Sequence, residues 1–254
     1  MRTEANADSN KLLLTFTYLL LAYLGVQLIP YEMMGERIWV HLLVKDICLL
    51  FVLFLCVFEM RTKRQKAQRV SVSLWPILLL IGCFSNFIYA GIFHLSPIFI
   101  LEPTSFTLKT IGLIVSAVVE EYIFRGFLQM YLIQKVSRAT YKNTIVIVLT
   151  SLCFSLMHVI NFYGNDPLAV SAQLGYTFIL GIVLSTISFS FSYPLVFTVL
   201  GHICFNFFND LLFAAFYQIP LTWVYILFSV GIGIFCVVYS LIGYNIFYRR
   251  KREM

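Results

Sequence analysis

The sequence predicts an all-α membrane protein: a polytopic helix bundle of about eight transmembrane helices with both termini in the cytoplasm. Hydrophobic residues make up 60% of the 254 residues, charged residues make up only 12%, and the mean hydropathy is +0.88. These values lie well outside the range of soluble proteins. Apolar windows close to the ~20 residues that a bilayer core requires follow one another along almost the whole chain.

Four windows in the N-terminal half predict the first four helices. The first window follows the mixed-charge segment MRTEANADSN and has no small-residue cleavage site after it. We therefore interpret it as a retained transmembrane helix and not as a cleaved signal peptide. The basic segment RTKRQKAQR separates the second window from the third. The four windows cover residues 12–29, 38–58, 74–95 and 106–133.

Four further windows complete the predicted bundle, and the loops between windows set its orientation. The later windows cover residues 143–162, 168–188, 193–213 and 221–247. Loops on one side carry most of the cations, which are Arg61, Lys63, Arg64, Lys66, Arg69, Lys135, Arg138, Lys142, Arg249, Arg250, Lys251 and Arg252. Loops on the other side carry Glu32, Glu36, Glu102 and Asp166 against Arg37 alone. The positive-inside rule then predicts a multi-pass cell-membrane protein with cytoplasmic termini.

The same loops account for most of the formal charge of +6. Because they are short and lie next to the spans, they predict contact with the lipid bilayer and no nucleic-acid partner. The six cysteines lie within or beside apolar windows and form no C-x-x-C pair, so they are interpreted as small core residues.

Three charges lie inside the fourth predicted helix, in AVVEEYIFRGFLQM. Glu121 and Arg125 are four residues apart and share a helix face, whereas Glu120 points about 100° away from Glu121. Glu121 is the better-placed partner for Arg125, which leaves Glu120 freer to face a cavity as a general base. The alternative is an ion-pair set that only locks this helix to a neighbour. Ionisable groups inside a membrane span indicate either a functional site or such a pair.

Two later helices carry further polar groups. Phe154 and His158 share one face in CFSLMHVI, and His202, Asn206 and Asp210 lie on one stripe in GHICFNFFND. At 1.5 Å per residue, Glu120 and His158 each lie roughly 21 Å from the cytoplasmic end of their windows, and His202 roughly 14 Å. These groups are therefore expected to meet in one layer, where they could bind and deprotonate a water molecule.

The three motifs, in order, resemble those of the CPBP intramembrane proteases. Glu120-Glu121-x-x-x-Arg125, Phe154-x-x-x-His158 and His202-x-x-x-Asn206 carry the resemblance. That family contains the type II CAAX prenyl endopeptidases and bacterial proteins of bacteriocin processing and self-immunity, also called the Abi family. The resemblance divides the chain into N-terminal helices (1–104), a catalytic core (105–213), and a last helix with a basic tail (214–254).

The resemblance implies a role for each motif residue. Glu120 would activate the attacking water, His158 would help to hold it, and His202 and Asn206 would polarise the scissile carbonyl and stabilise its oxyanion. Glu121 and Arg125 would shape and neutralise the site. The expected substrate is a membrane-associated peptide or lipidated protein, and the family precedent opens the cavity to the cytoplasmic leaflet. Bacterial relatives of this size imply bacteriocin processing, self-immunity or pheromone maturation.

Three alternatives remain open at this stage. One carboxylate with two histidines is a possible zinc set, although the sequence lacks H-E-x-x-H and a mechanism without any cofactor is favoured. A non-proteolytic immunity or scaffold protein would act by binding alone. A small proton-coupled transporter would use the same buried groups as a relay, but the internal repeats or paired broken helices typical of transporters are not found in the sequence.

Overall fold

All described secondary structure is helical. The computed structural model describes residues 2–29, 38–61, 85–93, 95, 103–136, 142–163, 165–190, 194–208 and positions 227, 230, 231, 233–235 and 238. The first three helices are α1 (Arg2–Gln27), α2 (Ile38–Arg61) and α3 (Ser85–Ile92). They correspond to the first two predicted windows and to the last part of the third.

A continuous helical rod follows and contains the charged motif. It consists of α4 (Pro103–Glu121), a π-helical segment (Tyr122–Leu128) and α5 (Gln129–Lys135). The fourth window predicts this rod but not its change of helical pitch. The π-helical segment begins directly after Glu121 and includes Arg125, and every residue in it except Tyr122 is buried. Short π-helical segments are frequent at functional sites because they shift the register of the side chains that follow.

Three more helices complete the described bundle. They are α6 (Lys142–Met157), which continues as a 3₁₀ segment (His158–Phe162), α7 (Pro167–Ser190) and α8 (Pro194–Phe205). Pro103, Pro167 and Pro194 each open a helix, at the position where a missing N–H costs no hydrogen bond. Asp166 caps α7, since its carboxylate accepts from the N–H groups of Leu168 (3.4 Å) and Ala169 (3.3 Å).

Three described stretches are long and apolar enough to cross a membrane: Val40–Glu59, Lys142–Phe162 and Pro167–Phe189. Leu195–Phe208 is a shorter apolar helix. The outward face of α2 is apolar: the large side chains of Ile47, Phe51, Phe54 and Phe58 are all exposed. Such a stripe fits hydrocarbon and not water. The helical membrane fold is therefore confirmed, while the number of eight spans, the orientation and the division of the chain at 104 and 213 stay predictions.

The core lies between the rod and its neighbours α1, α2, α6 and α7. Its largest fully buried side chains include Phe124, Phe127, Phe154 and Leu184. Helices α6 and α7 are in close contact at Gly181, where an added Cβ would lie 2.9 Å from the Cβ of Ser151 and 3.0 Å from its Cα. Glycine is needed there because the backbone of α6 already occupies the space.

Candidate active site

Glu120 is buried in the middle of the rod and is held by two hydroxyl groups. The phenol of Tyr23, on α1, donates a short hydrogen bond to Glu120 Oε1. The hydroxyl of Ser116, one turn earlier on α4, donates to the same oxygen at 3.0 Å. Tyr23 Oη and Ser116 Oγ are themselves 2.7 Å apart. The second oxygen, Oε2, lies 3.7 Å from His202 Nε2, so one carboxylate oxygen is fixed and the other faces the imidazole.

Glu121 has a separate set of partners and is fully buried. Its Oε1 accepts from Arg125 Nη1 at 2.9 Å and from His202 Nδ1 at 2.9 Å. The ion pair with Arg125 confirms the pairing that the four-residue spacing predicts. The contact with His202 was not predicted. It commits Nδ1 of that ring as a donor and leaves Nε2 directed towards Glu120.

Phe154 connects the ion pair to both histidines. Its ring is fully buried, and the guanidinium of Arg125 lies 4.5 Å from its centroid. The rings of His158 and His202 meet Phe154 edge to face, with centroids 5.2 Å and 5.6 Å away. Arg125 also donates from Nη2 to the Gly181 carbonyl oxygen at 3.3 Å. Phe154 therefore packs between the buried cation and the two imidazoles and restricts the orientation of all three.

His158 begins the 3₁₀ segment that continues α6. Its Nδ1 lies 3.0 Å from the carbonyl oxygen of Phe154. A carbonyl oxygen only accepts, so Nδ1 is the donor and Nε2 is the nitrogen left for another partner. Both histidines thus use Nδ1 for support, and each leaves Nε2 for other contacts.

A cavity of about 200 Å³ brings the sequence-predicted groups together. Glu120, His158, His202 and Asn206 all line it, whereas Glu121 and Arg125 do not. Its volume is enough for several water molecules at about 30 Å³ each. The other lining residues are Tyr23, Gln27, Ser116, Met157, Ile160, Asn161, Gln173, Tyr176, Thr177 and Leu180. Asp210, which shares the predicted stripe with His202 and Asn206, lies outside the described residues.

Several of these polar residues were missed by the sequence reasoning. Tyr23 and Gln27 form an i, i+4 pair on α1, and Ser116 precedes Glu120 by four residues. These spacings are visible in the sequence, but single hydroxyl and amide groups are common in membrane helices. Nothing local indicates that α1 lies against Glu120, because Tyr23 and Glu120 are 97 positions apart.

The zinc alternative requires several ligands close together. Among the described residues, no three His, Cys, Asp or Glu side chains are close enough together to hold a metal ion. The described cysteines Cys48, Cys56, Cys153 and Cys204 are free thiols. The cofactor-free mechanism stays a prediction, which a chelator experiment addresses directly.

Comparison with known proteins identifies the segment that contains all three motifs. The family model described as type II CAAX prenyl endopeptidase Rce1-like matches residues 102–208, which is less than half of the chain. The match confirms the resemblance to the CPBP proteases over this segment. Searches of curated proteins and of solved structures each found no match.

Proposed function

We propose that this chain is an intramembrane endopeptidase in which Glu120 activates a water molecule for hydrolysis of a peptide bond. One observation carries the proposal: Glu120, His158, His202 and Asn206, from three separate parts of the chain, line the same cavity. Amide hydrolysis needs a base for water, donors for the developing oxyanion and an acid for the leaving amine. The Rce1-like match over residues 102–208 supports the same class of hydrolase.

The proposed reaction begins with water between Glu120 and His158. Glu120 Oε2 takes a proton from the water while the oxygen of that water attacks the carbonyl carbon of the substrate. Glu120 Oε1 is already engaged by Tyr23 and Ser116, so the carboxylate does not need to reorganise before it accepts the proton. His158 holds the water through Nε2, because Nδ1 is committed to the Phe154 carbonyl.

The tetrahedral intermediate then carries a negative oxygen. Asn206 donates to it from the side-chain amide, and His202 donates from Nε2 when the ring is doubly protonated. Glu121 accepts from His202 Nδ1 and keeps that ring in orientation. The C–N bond breaks as the proton on Glu120 passes to the leaving nitrogen, which gives a free amine and a carboxylic acid and restores the Glu120 carboxylate.

The proposed substrate is a membrane-associated peptide or a lipidated protein, in bacteriocin processing, self-immunity or peptide-pheromone maturation. The experiment compares the wild type with Glu120→Gln, His158→Ala and His202→Ala at matched membrane levels. It measures cleavage of membrane-bound candidate peptides and survival against a co-encoded bacteriocin, with and without a strong chelator. We expect the three variants to lose both readouts, and we expect the wild type to resist the chelator.

Asp166→Asn is the matched control, since it is also an acid-to-amide change but lies on an exposed helix cap that asparagine preserves. It is expected to behave as the wild type. If Glu120→Gln folds, inserts and still protects, a non-proteolytic immunity protein replaces the protease. Loss of wild-type activity in chelator, with recovery on adding zinc, indicates a metalloenzyme instead.

A further inference from the structure

The cavity lies towards one end of the bundle, as the positions of its lining residues along α1, α6, α7 and α8 show. In α1 the lining residues are at the C-terminal end, and in α6 they come from its last residue and the 3₁₀ segment beyond it. In α7 they extend from the N-terminal half to the middle of the helix, and in α8 they lie close to its end and just beyond it. The residues that show this are Tyr23, Gln27, Met157, His158, Ile160, Asn161, Gln173, Tyr176, Thr177, Leu180, His202 and Asn206.

The rod places the inner end of the cavity near the middle of the bundle. Glu120 is 17 residues from Pro103 and 15 from Lys135, or roughly 26 Å and 23 Å along the axis. Asn161, in contrast, is 19 residues from Lys142, or roughly 28 Å, and only two residues from Tyr163. The cavity therefore extends from mid-bundle towards the end where the 163–166 connection lies.

Towards the opposite end, the cavity meets a closed layer. Phe154 and Phe124 are fully buried and meet edge to face with centroids 5.3 Å apart. Arg125 lies against Phe154 and is only 4% exposed. This layer consists of two aromatic rings and a paired cation, and the buried polar side chains beyond it, Gln129, Thr150 and Ser185, do not line the cavity. The polar lining of the cavity continues on the other side, where Asn161 Nδ2 donates to Gln173 Oε1 at 2.8 Å.

The charges in the connections identify the two ends of the bundle. The connections at the cavity end include 28–37 and 163–166, which carry Glu32, Glu36 and Asp166 against Arg37. The connections at the far end carry Lys135, Arg138 and Lys142 after α5, and the basic segment RTKRQKAQR after α2. The positive-inside rule assigns the basic end to the cytoplasm. The cavity end is then the non-cytoplasmic one.

We propose that the cavity receives its peptide from the non-cytoplasmic side of the membrane, and not from the cytoplasmic leaflet that the family resemblance implies. The substrate class is an exported peptide, or a segment of a membrane protein on that surface. That the bound peptide is cleaved rests on the proposed protease function, but the side from which the cavity is reached does not. Except for Glu120 and the two histidines, the cavity lining is uncharged. Its carboxamides and hydroxyls offer both donors and acceptors to a peptide main chain.

The test measures from which side water-soluble reagents reach the cavity. Asn161→Cys and, as a second position, Gln173→Cys are introduced into a background in which the six native cysteines are alanine. Right-side-out and inside-out membrane vesicles are treated with a small, membrane-impermeant, cationic methanethiosulfonate. The protein is then denatured and treated with a maleimide, and a cysteine that has already reacted is recognised because the maleimide no longer modifies it. We expect N161C and Q173C to react at least about tenfold faster in right-side-out vesicles, because only a water-exposed thiolate is reactive.

Lys135→Cys is the matched control, because Lys135 is exposed at the basic end of the rod. It is expected to react faster in inside-out vesicles. The proposal is overturned if N161C and Q173C react on the same side as K135C, or if neither cavity position reacts from either side. It is also overturned if the two cavity cysteines react faster in inside-out vesicles while K135C reacts faster in right-side-out vesicles. Repeating the labelling in the E120Q background separates the two proposals, since loss of catalysis leaves the labelling pattern unchanged.

Discussion

Glu120 and Glu121 are adjacent in the chain but have different surroundings. Glu121 and Arg125 neutralise each other in the interior, and Glu121 also supports His202. Glu120 has no guanidinium partner among its contacts; hydroxyl groups hold one of its oxygens, and the other lies beside the cavity. A carboxylate held in this way is suited to accept a proton, whereas one already bound to a guanidinium is a poor base.

At the residue scale, Tyr23→Phe tests whether Tyr23 positions the base. Loss of a hydrogen bond to a charged group costs about 1.5–3 kcal/mol, so we expect kcat to fall about ten- to hundredfold with little change in KM. The measurement is steady-state cleavage with a pH profile, since repositioning of the base changes that profile and a purely structural role does not.

Tyr131→Phe is the control for Tyr23→Phe, because Tyr131 lies on α5 outside the cavity lining. It removes the same hydroxyl from a membrane-helix tyrosine and is expected to leave kcat unchanged. Equal losses of activity in the two variants contradict a positioning role for Tyr23.

The buried ion pair gives a second prediction at this scale. Glu121→Gln leaves Arg125 charged and unpaired in the interior, which we expect to lower the free energy of unfolding by about 3–5 kcal/mol. Adding Arg125→Met removes the stranded charge and is expected to restore much of the stability but no activity. Thermal unfolding in detergent measures the first effect, and peptide cleavage measures the second.

A double variant that is no more stable than Glu121→Gln alone contradicts this account. That result indicates that Glu121 stabilises the fold chiefly through His202 and not through Arg125.

At the element scale, departures from α-helical geometry lie at site residues in the rod, after α6 and, over residues 206–208, directly after α8. The π-helical segment starts at Tyr122, directly after the two glutamates, and the 3₁₀ segment starts at His158. Both change the direction of the side chains that follow relative to a regular α-helix. The predicted contact of Glu121 with Arg125 is formed across the first turn of the π-helical segment.

The close approach of α6 and α7 gives the prediction for this scale. Gly181→Ala places a Cβ against the backbone of Ser151, and overpacking of this kind typically costs about 1–3 kcal/mol. We expect a lower unfolding temperature and reduced activity, since the Gly181 carbonyl also accepts from Arg125.

Gly175→Ala is the matched control on the same helix, because nothing lies within 4 Å of the added Cβ. It is expected to unfold at the wild-type temperature or slightly above, since alanine favours the helix more than glycine. Equal destabilisation by the two substitutions shows that steric contact with α6 is not the cause.

At the scale of the whole molecule, the candidate site is larger than the segment that matches the family. Residues 102–208 contain the three motifs, but Tyr23 and Gln27 come from α1. Helix α1 is thus part of the environment of Glu120 and not only a membrane anchor.

The predicted orientation is tested with reporter fusions after Arg138, after Asn165 and at the C-terminus. Alkaline phosphatase is expected to be active only at Asn165, and green fluorescence is expected at the other two sites, because the basic loops remain in the cytoplasm. Arg138 and Asn165 lie on opposite sides of one span, so they control for each other. Identical results at these two positions exclude a membrane-spanning α6.

The sequence by itself determined the helical membrane fold, the Glu121–Arg125 pair and the four motif residues that line the cavity. These follow from hydropathy and helical periodicity, which are local properties of the chain. Only the tertiary structure showed that Tyr23 holds Glu120, that Glu121 supports His202, and that Phe154 packs between Arg125 and the imidazoles. Those contacts join side chains up to 97 positions apart, so they depend on how the helices pack, and local periodicity carries no information about that packing.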